Sequence, residues 1–207
     1  DVLEEGAVAL WIASEEPVRV VMRHGWQPIG VPLLVTRSQG TIIEELGGRP
    51  AAVAYEEQLG VAPGELTPDN FWGTSILHPF GLLQADGSTI IRVARAKLDN
   101  GHLRIQGCVP PAGSAVHVMS GDADSLLAVV PEVAPAALAE RQDAGVVLVF
   151  SCAARATIYG DRTVEEPKLL QEGAGAVPTF GFYCCGEFAR TVGVLGTHNA
   201  TITAVAL

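Results

Sequence analysis

Apolar and polar residues alternate in short runs along most of this chain, with turn-forming residues between the runs. AVALWIA (7–13) is an apolar run bounded by Gly6 and Ser14, and VRVVMRH (18–24) alternates; the SEEP stretch between them predicts a turn joining two strands. VPLLVT (31–36) and TIIEEL (41–46), divided by RSQG, predict a further hairpin, so at least part of the sheet is antiparallel. RPAAVAYEEQL (49–59) predicts a helix with Pro50 in its first turn, where the missing N–H is tolerated. PFGLL and TIIRVARA read as strands around the turn QADGS, LDNG is a hairpin signal leading into HLRIQGCV, and SAVHVM is another short strand.

The period changes over 122–142. Leu126, Leu127, Val130, Val133, Ala134, Ala137 and Leu138 recur at helical spacing, while Pro131 and Pro135 predict a kink or two short helices. Asp122 is expected to cap this segment. AGVVLVF (144–150) predicts a buried strand and VEEPKLLQEG (164–173) a short helix ended by Gly173. Two strands are expected to close the chain, and GVAPGELTPDNFWG (60–73), with three Gly, two Pro and no period, is the best linker. Together these elements predict an α+β fold: largely antiparallel β-sheet with flanking helices, a layered α/β sandwich being one arrangement of it.

Composition narrows the function classes. The chain has 207 residues, 48% of them hydrophobic, which is enough for a full core. Its formal net charge is −10 with 13 Lys plus Arg and no basic cluster, which argues against nucleic acid and anionic membrane surfaces as partners. No run approaches the ~20 apolar residues of a membrane span. The start without Met suggests a fragment. Four cysteines, Cys108, Cys152, Cys184 and Cys185, make no disulfide framework and suggest a reducing, cytoplasmic setting.

Candidate chemistry is sparse. No CxxC, paired-His or Gly-rich phosphate signature occurs, so no metal site is expected. Cys152 follows a buried strand and is expected to begin a helix, a position that lowers a thiol pKa; with His198 as base it is a candidate nucleophile, or else a small buried hydrophobe. Arg155 has two available roles, gripping a ligand carboxylate or pairing with a carboxylate of the protein. Alternation over 180–188 puts Tyr183, Cys185 and Glu187 on one side and Phe180, Phe182 and Cys184 on the other. Asn199, Thr201 and Thr203 likewise share a side. If the two closing strands pair across ARTVGVLGT, the Tyr/Glu row and the Asn/Thr row line one surface, either a ligand site or a solvated face. With Arg155 nearby, that surface suits an amino-acid-like zwitterion.

At these residues the sequence resembles a known family. VLVFSCAAR (147–155), TFGFYCCGEF (179–188) and THNATITAVAL (197–207), in this order, resemble the C-terminal part of a FIST domain, with its Phe-Ser-Cys-x-x-Arg run, Gly-x-x-x-x-Gly-Glu strand and closing His-Asn-x-Thr strand. HPFGL (78–82) and IIRVARA (90–96) fit its opening, and residues 25–55 resemble the tail of the FIST N-terminal region. The resemblance divides the chain into 1–60 (N-terminal region), 61–73 (linker) and 74–207 (C domain). It implies an intracellular sensory module that binds a small ligand and relays occupancy to a signalling partner. The matching positions are Ser151, Cys152, Arg155, Gly181, Gly186, Glu187, His198, Asn199 and Thr201. The expected ligand-binding set is Cys152, Arg155, Tyr183, Glu187, Asn199 and Thr201, without catalysis or cofactor. Two alternatives stand beside it: a haem-binding gas sensor using His198 or His78, and a Cys152-dependent enzyme. The sequence departs from the family in FARTVG after Glu187, which puts the loop geometry there in question.

Overall fold

The computed structural model describes residues 6–85, 87–139, 141, 143–190 and 195–207. In chain order the elements are β1 (Val20–Arg23), β2 (Gln27–Gln39), β3 (Ile42–Leu46), β4 (Arg49–Pro50), α1 (Ala51–Leu59), α2 (Phe71–Ser75), β5 (Phe80–Leu83), β6 (Thr89–Arg92), β7 (Ala94–Lys97), β8 (Leu103–Ile105) and β9 (Ala115–Ser120). Then come α3 (Ala123–Ala128), α4 (Val133–Leu138), β10 (Val147–Cys152), α5 (Ala153–Tyr159), α6 (Glu165–Ala174), β11 (Thr179–Cys184), β12 (Glu187–Arg190), β13 (Leu195–His198) and β14 (Ile202–Ala206). The fold is α+β with mostly antiparallel sheets, as the alternation predicts.

One body is a near-closed barrel of strand order β6-β5-β9-β2-β3-β8-β7, with β4 beside β3. Its long strand β2 pairs with β9 along its first part and with β3 along its second, and the register slips between Ile29 and Leu33. Gly30 lies in that slip at φ +64°, a backbone region that favours glycine. The two edge strands, β6 and β7, are separated only by Val93, so the chain itself joins the edges. Val35, Ile43, Tyr55, Phe71, Phe80 and Leu103 are among the residues that fill the interior. The stretch read as a linker contributes Leu66 and Phe71 to this core.

The second body is a four-stranded sheet of order β1-β14-β10-β11, covered by α3, α4 and α6. Only the β10–β11 pair is parallel among these strands, and α5 and α6 form its crossover. Asp122 caps α3 with a reciprocal bond to Ser125, and the chain then kinks through a 3₁₀ turn at Val130–Glu132 before α4, as the prolines predict. Trp26, Leu126, Val133, Val147 and Ile202 lie at the centre of this core.

Three expectations are corrected. AVALWIA forms no strand: β1 takes β14 as its antiparallel partner, and the 7–13 stretch is left without regular secondary structure, with Trp11 92% exposed. Gly173 lies inside α6, which ends instead at Gly175. The closing stretches pair only at their near ends, where β12 and β13 form an antiparallel pair with Glu187 opposite His198; β11 and β14 do not pair with each other but flank β10, which satisfies the backbone groups on both edges of that central strand.

The two bodies meet near the turn between β1 and β2. Gly25 there has φ +83°, and a Cβ would approach the Ser125 carbonyl oxygen to 2.5 Å and the Leu126 Cα to 2.9 Å. Gly25→Ala is therefore expected to destabilise the protein by roughly 2–4 kcal/mol, from the left-handed backbone and the clash together. Gly40→Ala, at φ +60° with open space around it, should cost only about 1 kcal/mol. Urea unfolding of both variants checks the contrast.

Candidate functional site

The candidate residues fall into three adjoining groups. The first is built around Arg155 on α5, which is fully buried. Its Nε donates to Glu166 Oε1 at 2.9 Å, Nη1 to the His24 carbonyl at 2.9 Å and Nη2 to the Leu126 carbonyl at 2.9 Å. Tyr159 donates to the same Glu166 oxygen at 2.7 Å. Every face of the guanidinium is thus engaged by the protein, the second of the two roles the sequence offered. Tyr183, on the neighbouring strand β11, reaches the Thr163 carbonyl at 3.4 Å.

The second group surrounds Glu187. Strand alternation breaks at Cys185–Gly186, where Gly186 has φ +146°, so Cys184 and Glu187 come to the same side. Glu187 is 3% exposed; Cys184 Sγ donates to Oε1 at 3.5 Å, Thr201 Oγ1 to Oε2 at 3.4 Å, and the Cys152 thiol also bonds the carboxyl. Burial raises the Glu187 pKa despite these three donors. Burial, and then the Glu187 charge, push the Cys152 thiol up to about 12. This overturns the expectation of a lowered Cys152 pKa: desolvation outweighs the start of a seven-residue helix. Cys185 is exposed and lines the cavity where the two bodies meet.

The third group is the seam of the barrel. Asn199 accepts from the Val93 N–H through Oδ1 at 3.3 Å and donates to the His198 carbonyl at 3.0 Å. Arg92, 4% exposed, donates to the Thr197 carbonyl at 2.7 Å and the Cys108 carbonyl at 2.8 Å. Ala200, between Asn199 and Thr201, holds φ +52°, an uncommon backbone state for a residue with a Cβ. Its carbonyl accepts from Trp26 Nε1 at 2.9 Å. His198 is 2% exposed; its Nε2–H donates to the Ala189 carbonyl at 3.1 Å, and Nδ1 is sealed without a partner among the described residues. His78 donates from Nδ1 to the Met119 carbonyl at 3.2 Å. Of FARTVG, residues 191–193 lie outside the described residues.

A cavity of about 550 Å³ opens where the two bodies meet. Cys152 and Asn199 are the two expected site residues on its wall; Ala153, Ala154 and Thr157 of α5 continue that side. The barrel supplies the other side through Thr41, Trp72, Arg95, Arg104 and Gln106. The sequence analysis missed these barrel residues. Their signal was faint: Arg104 alternates outward between buried Leu103 and Ile105, which says that it points away from the barrel core but not what it meets. A smaller cavity of about 320 Å³ lies along β11, lined by Ser151, Glu166, Tyr183 and the exposed rings of Phe180 and Phe182. Among the described residues no group of three or more His, Cys, Asp or Glu side chains is placed to hold a metal ion.

Comparison with known families bears directly on this arrangement. The FIST C domain model matches residues 51–190, and the FIST N domain model matches residues 1–49. The chain belongs to the FIST family. FIST domains are recognised as sensory domains of signal transduction. Curated relatives include Rv0628c of Mycobacterium tuberculosis strain H37Rv, named as an uncharacterised protein, which is 31% identical over 207 residues covering 97% of this chain and 52% of the relative. Mb0898c of Mycobacterium bovis, likewise named, is 29% identical over 221 residues, covering 97% of this chain and 53% of that protein. This FIST chain thus spans about half the length of the curated relatives it matches. No solved structure matches it. No helix of the described residues is long and apolar enough to cross a membrane.

Two predictions follow from the buried groups of this FIST domain. Arg155→Ala strands the Glu166 carboxylate in the core and should cost about 3–5 kcal/mol of unfolding free energy. Arg155→Lys, one amine in place of a three-way fork, should recover less than half of it. Stability should also respond to pH on both sides. His24 Nδ1 accepts from the Trp26 N–H at 3.0 Å, and burial followed by the Arg155 charge lowers its pKa from 6.5 to about 4. The unfolded chain then binds the proton first, so stability falls as pH drops from 6.5 toward 4, by up to roughly 3 kcal/mol. Glu187 has the opposite sign: its raised pKa means that stability declines as pH rises above 4.5. Glu187→Gln should therefore gain stability relative to wild type at pH 7 but not at pH 4, as read by urea unfolding at each pH.

Proposed function

We propose that this protein is a ligand-sensing module, without catalysis, whose site is the cleft between the barrel and the start of α5. The observation that carries the reading is the position of the cleft. It lies at the carboxyl end of β10, where the parallel β10–β11 pair ends and α5 begins, the place at which ligands bind in sheets of this connectivity. Its size falls within the ~300–1,000 Å³ of small-molecule sites. Its walls come from both bodies, so an occupant touches both. Occupancy would then favour one relation of the bodies over another, and a partner protein that reads that relation would receive the signal.

Within this reading the expected site residues take new roles. Cys152 and Asn199 face the cleft; Glu187 and Thr201 stand behind Cys152; Arg155 fixes α5 from below. Catalysis by Cys152 is disfavoured by a thiol whose pKa is pushed up to about 12 and by the engagement of the His198 Nε2 with the Ala189 carbonyl. Haem ligation by His198 would require that ring to leave a site where it is 2% exposed.

Thr157 is exposed on the α5 side of the cleft. Thr157→Trp should fill the opening and leave the fold intact. In a thermal-shift screen of amino acids, organic acids, sugar phosphates and nucleotides, at least one compound should raise the melting temperature of the wild type by several degrees, and Thr157→Trp should abolish the rise. A shift that survives in the variant places the ligand elsewhere; a screen with no stabiliser removes the sensing reading.

A further inference from the structure

The lining of the cleft carries charge of one sign. Arg95 and Arg104 both face it, and no Asp or Glu lies among its lining residues. Neither arginine has an acidic partner among the described residues. That is unusual in this chain, whose formal net charge is −10 and whose Arg23, Arg37, Arg49, Arg141 and Arg162 each meet a carboxylate. With so many carboxylates present, two neighbouring cations left without one are set apart by their position.

Local structure holds them there. β7 and β8 pair as Ala94↔Ile105, then Ala96↔Arg104, so Arg95 is the extra residue of a bulge. Arg95 is exposed next to buried Ala94, and Arg104 is exposed between buried Leu103 and Ile105, so both side chains point out of the barrel and line the same opening. The Arg95 guanidinium stacks on Trp72 at 3.9 Å from the ring centroid, which fixes its plane while leaving its N–H edges free for an acceptor. Across the cleft the α5 side is neutral: Ala153, Ala154, Thr157 and a protonated Cys152.

We propose that the cleft binds a small dianion, carrying either two carboxylates or one phosphomonoester, with Arg95 and Arg104 as its recognition pair. This rests on the ligand-sensing reading of the same cleft and replaces the zwitterion expected from sequence. A zwitterion needs an acid for its ammonium, and the one expected, Glu187, is 3% exposed and already bonded by Cys184, Thr201 and Cys152. Two guanidiniums instead offer forked, charge-assisted donors to two anionic groups or to one doubly charged group.

The test is isothermal titration of the full chain at fixed low ionic strength. Succinate and glycerol phosphate serve as dianions, lactate as a monoanion and alanine as a zwitterion. The expected result is binding of at least one dianion, weakened by added salt, with lactate and alanine much weaker. Whichever dianion binds identifies the anionic group. Arg95→Gln and Arg104→Gln should each lower affinity by roughly tenfold or more, with the unliganded melting temperature unchanged. Arg95→Lys should restore part of the loss by keeping the charge. Binding of alanine alone, dianion binding indifferent to both Gln variants, or no binding by either dianion would each overturn the proposal. A ligand from the wider screen that Thr157→Trp blocks would still leave the sensing reading standing.

Discussion

The second body is organised around one buried cation. Arg155 joins four segments that are distant in sequence: α5, the first turn of α6 through Glu166, the end of α3 through the Leu126 carbonyl, and the β1–β2 turn through the His24 carbonyl. A buried guanidinium is costly unless every donor finds an acceptor, so these bonds are interdependent. The constraint reaches further than the bonds themselves. Gly25 follows His24 and packs against the Ser125 and Leu126 backbone, and Trp26 then spans to the Ala200 carbonyl. Fixing Arg155 therefore fixes the entry into the barrel and the turn that carries Asn199 and Thr201.

The barrel is joined to this body at its own seam. Val93 separates the two edge strands and would otherwise leave an unpaired N–H near the junction; Asn199 accepts from it, and Arg92 beside it bonds the Thr197 carbonyl. Both links run from side chain to backbone, which sets distance and orientation without demanding a continuous sheet. The cleft is the space that remains beside this joint. Its place follows from where the barrel closes and where β10 gives way to α5.

The strands and short helices were legible in the sequence because their signals are local. Short apolar runs bounded by turn residues mark β2, β3, β9 and β10, Asp122 with Ser125 marks the start of α3, and two prolines mark the kink before α4. Partnerships were less legible. AVALWIA is as apolar as a strand should be, yet β14 pairs with β1 instead, and nothing within residues 7–13 signals that competition. The same holds at the site. The Phe-Ser-Cys-x-x-Arg and Gly-Glu motifs pointed to the neighbourhood of the candidate cleft, but alternation placed Cys184 and Glu187 on opposite sides, and a glycine at φ +146° brings them together. Arg95 and Arg104 carry no motif at all; their meaning comes from what the fold sets opposite them.

The division of charge across the cleft suggests how its parts share the work. Behind the α5 wall, Glu187 and the two thiols that bond it sit in surroundings where burial disfavours the ionised form of each. That wall therefore contributes shape and hydrogen bonding and little field. The barrel wall carries the charge, on Arg95, which lies over Trp72, and on Arg104, neither with an acidic neighbour among the described residues. A ligand anchored at the barrel wall and fitted against α5 would bridge surfaces connected otherwise by the Asn199 and Arg92 bonds. Only contacts that differ between two arrangements of those surfaces can convert binding into a signal. A cleft with selectivity on one wall and fit on the other meets that requirement more directly than a pocket enclosed in either body alone.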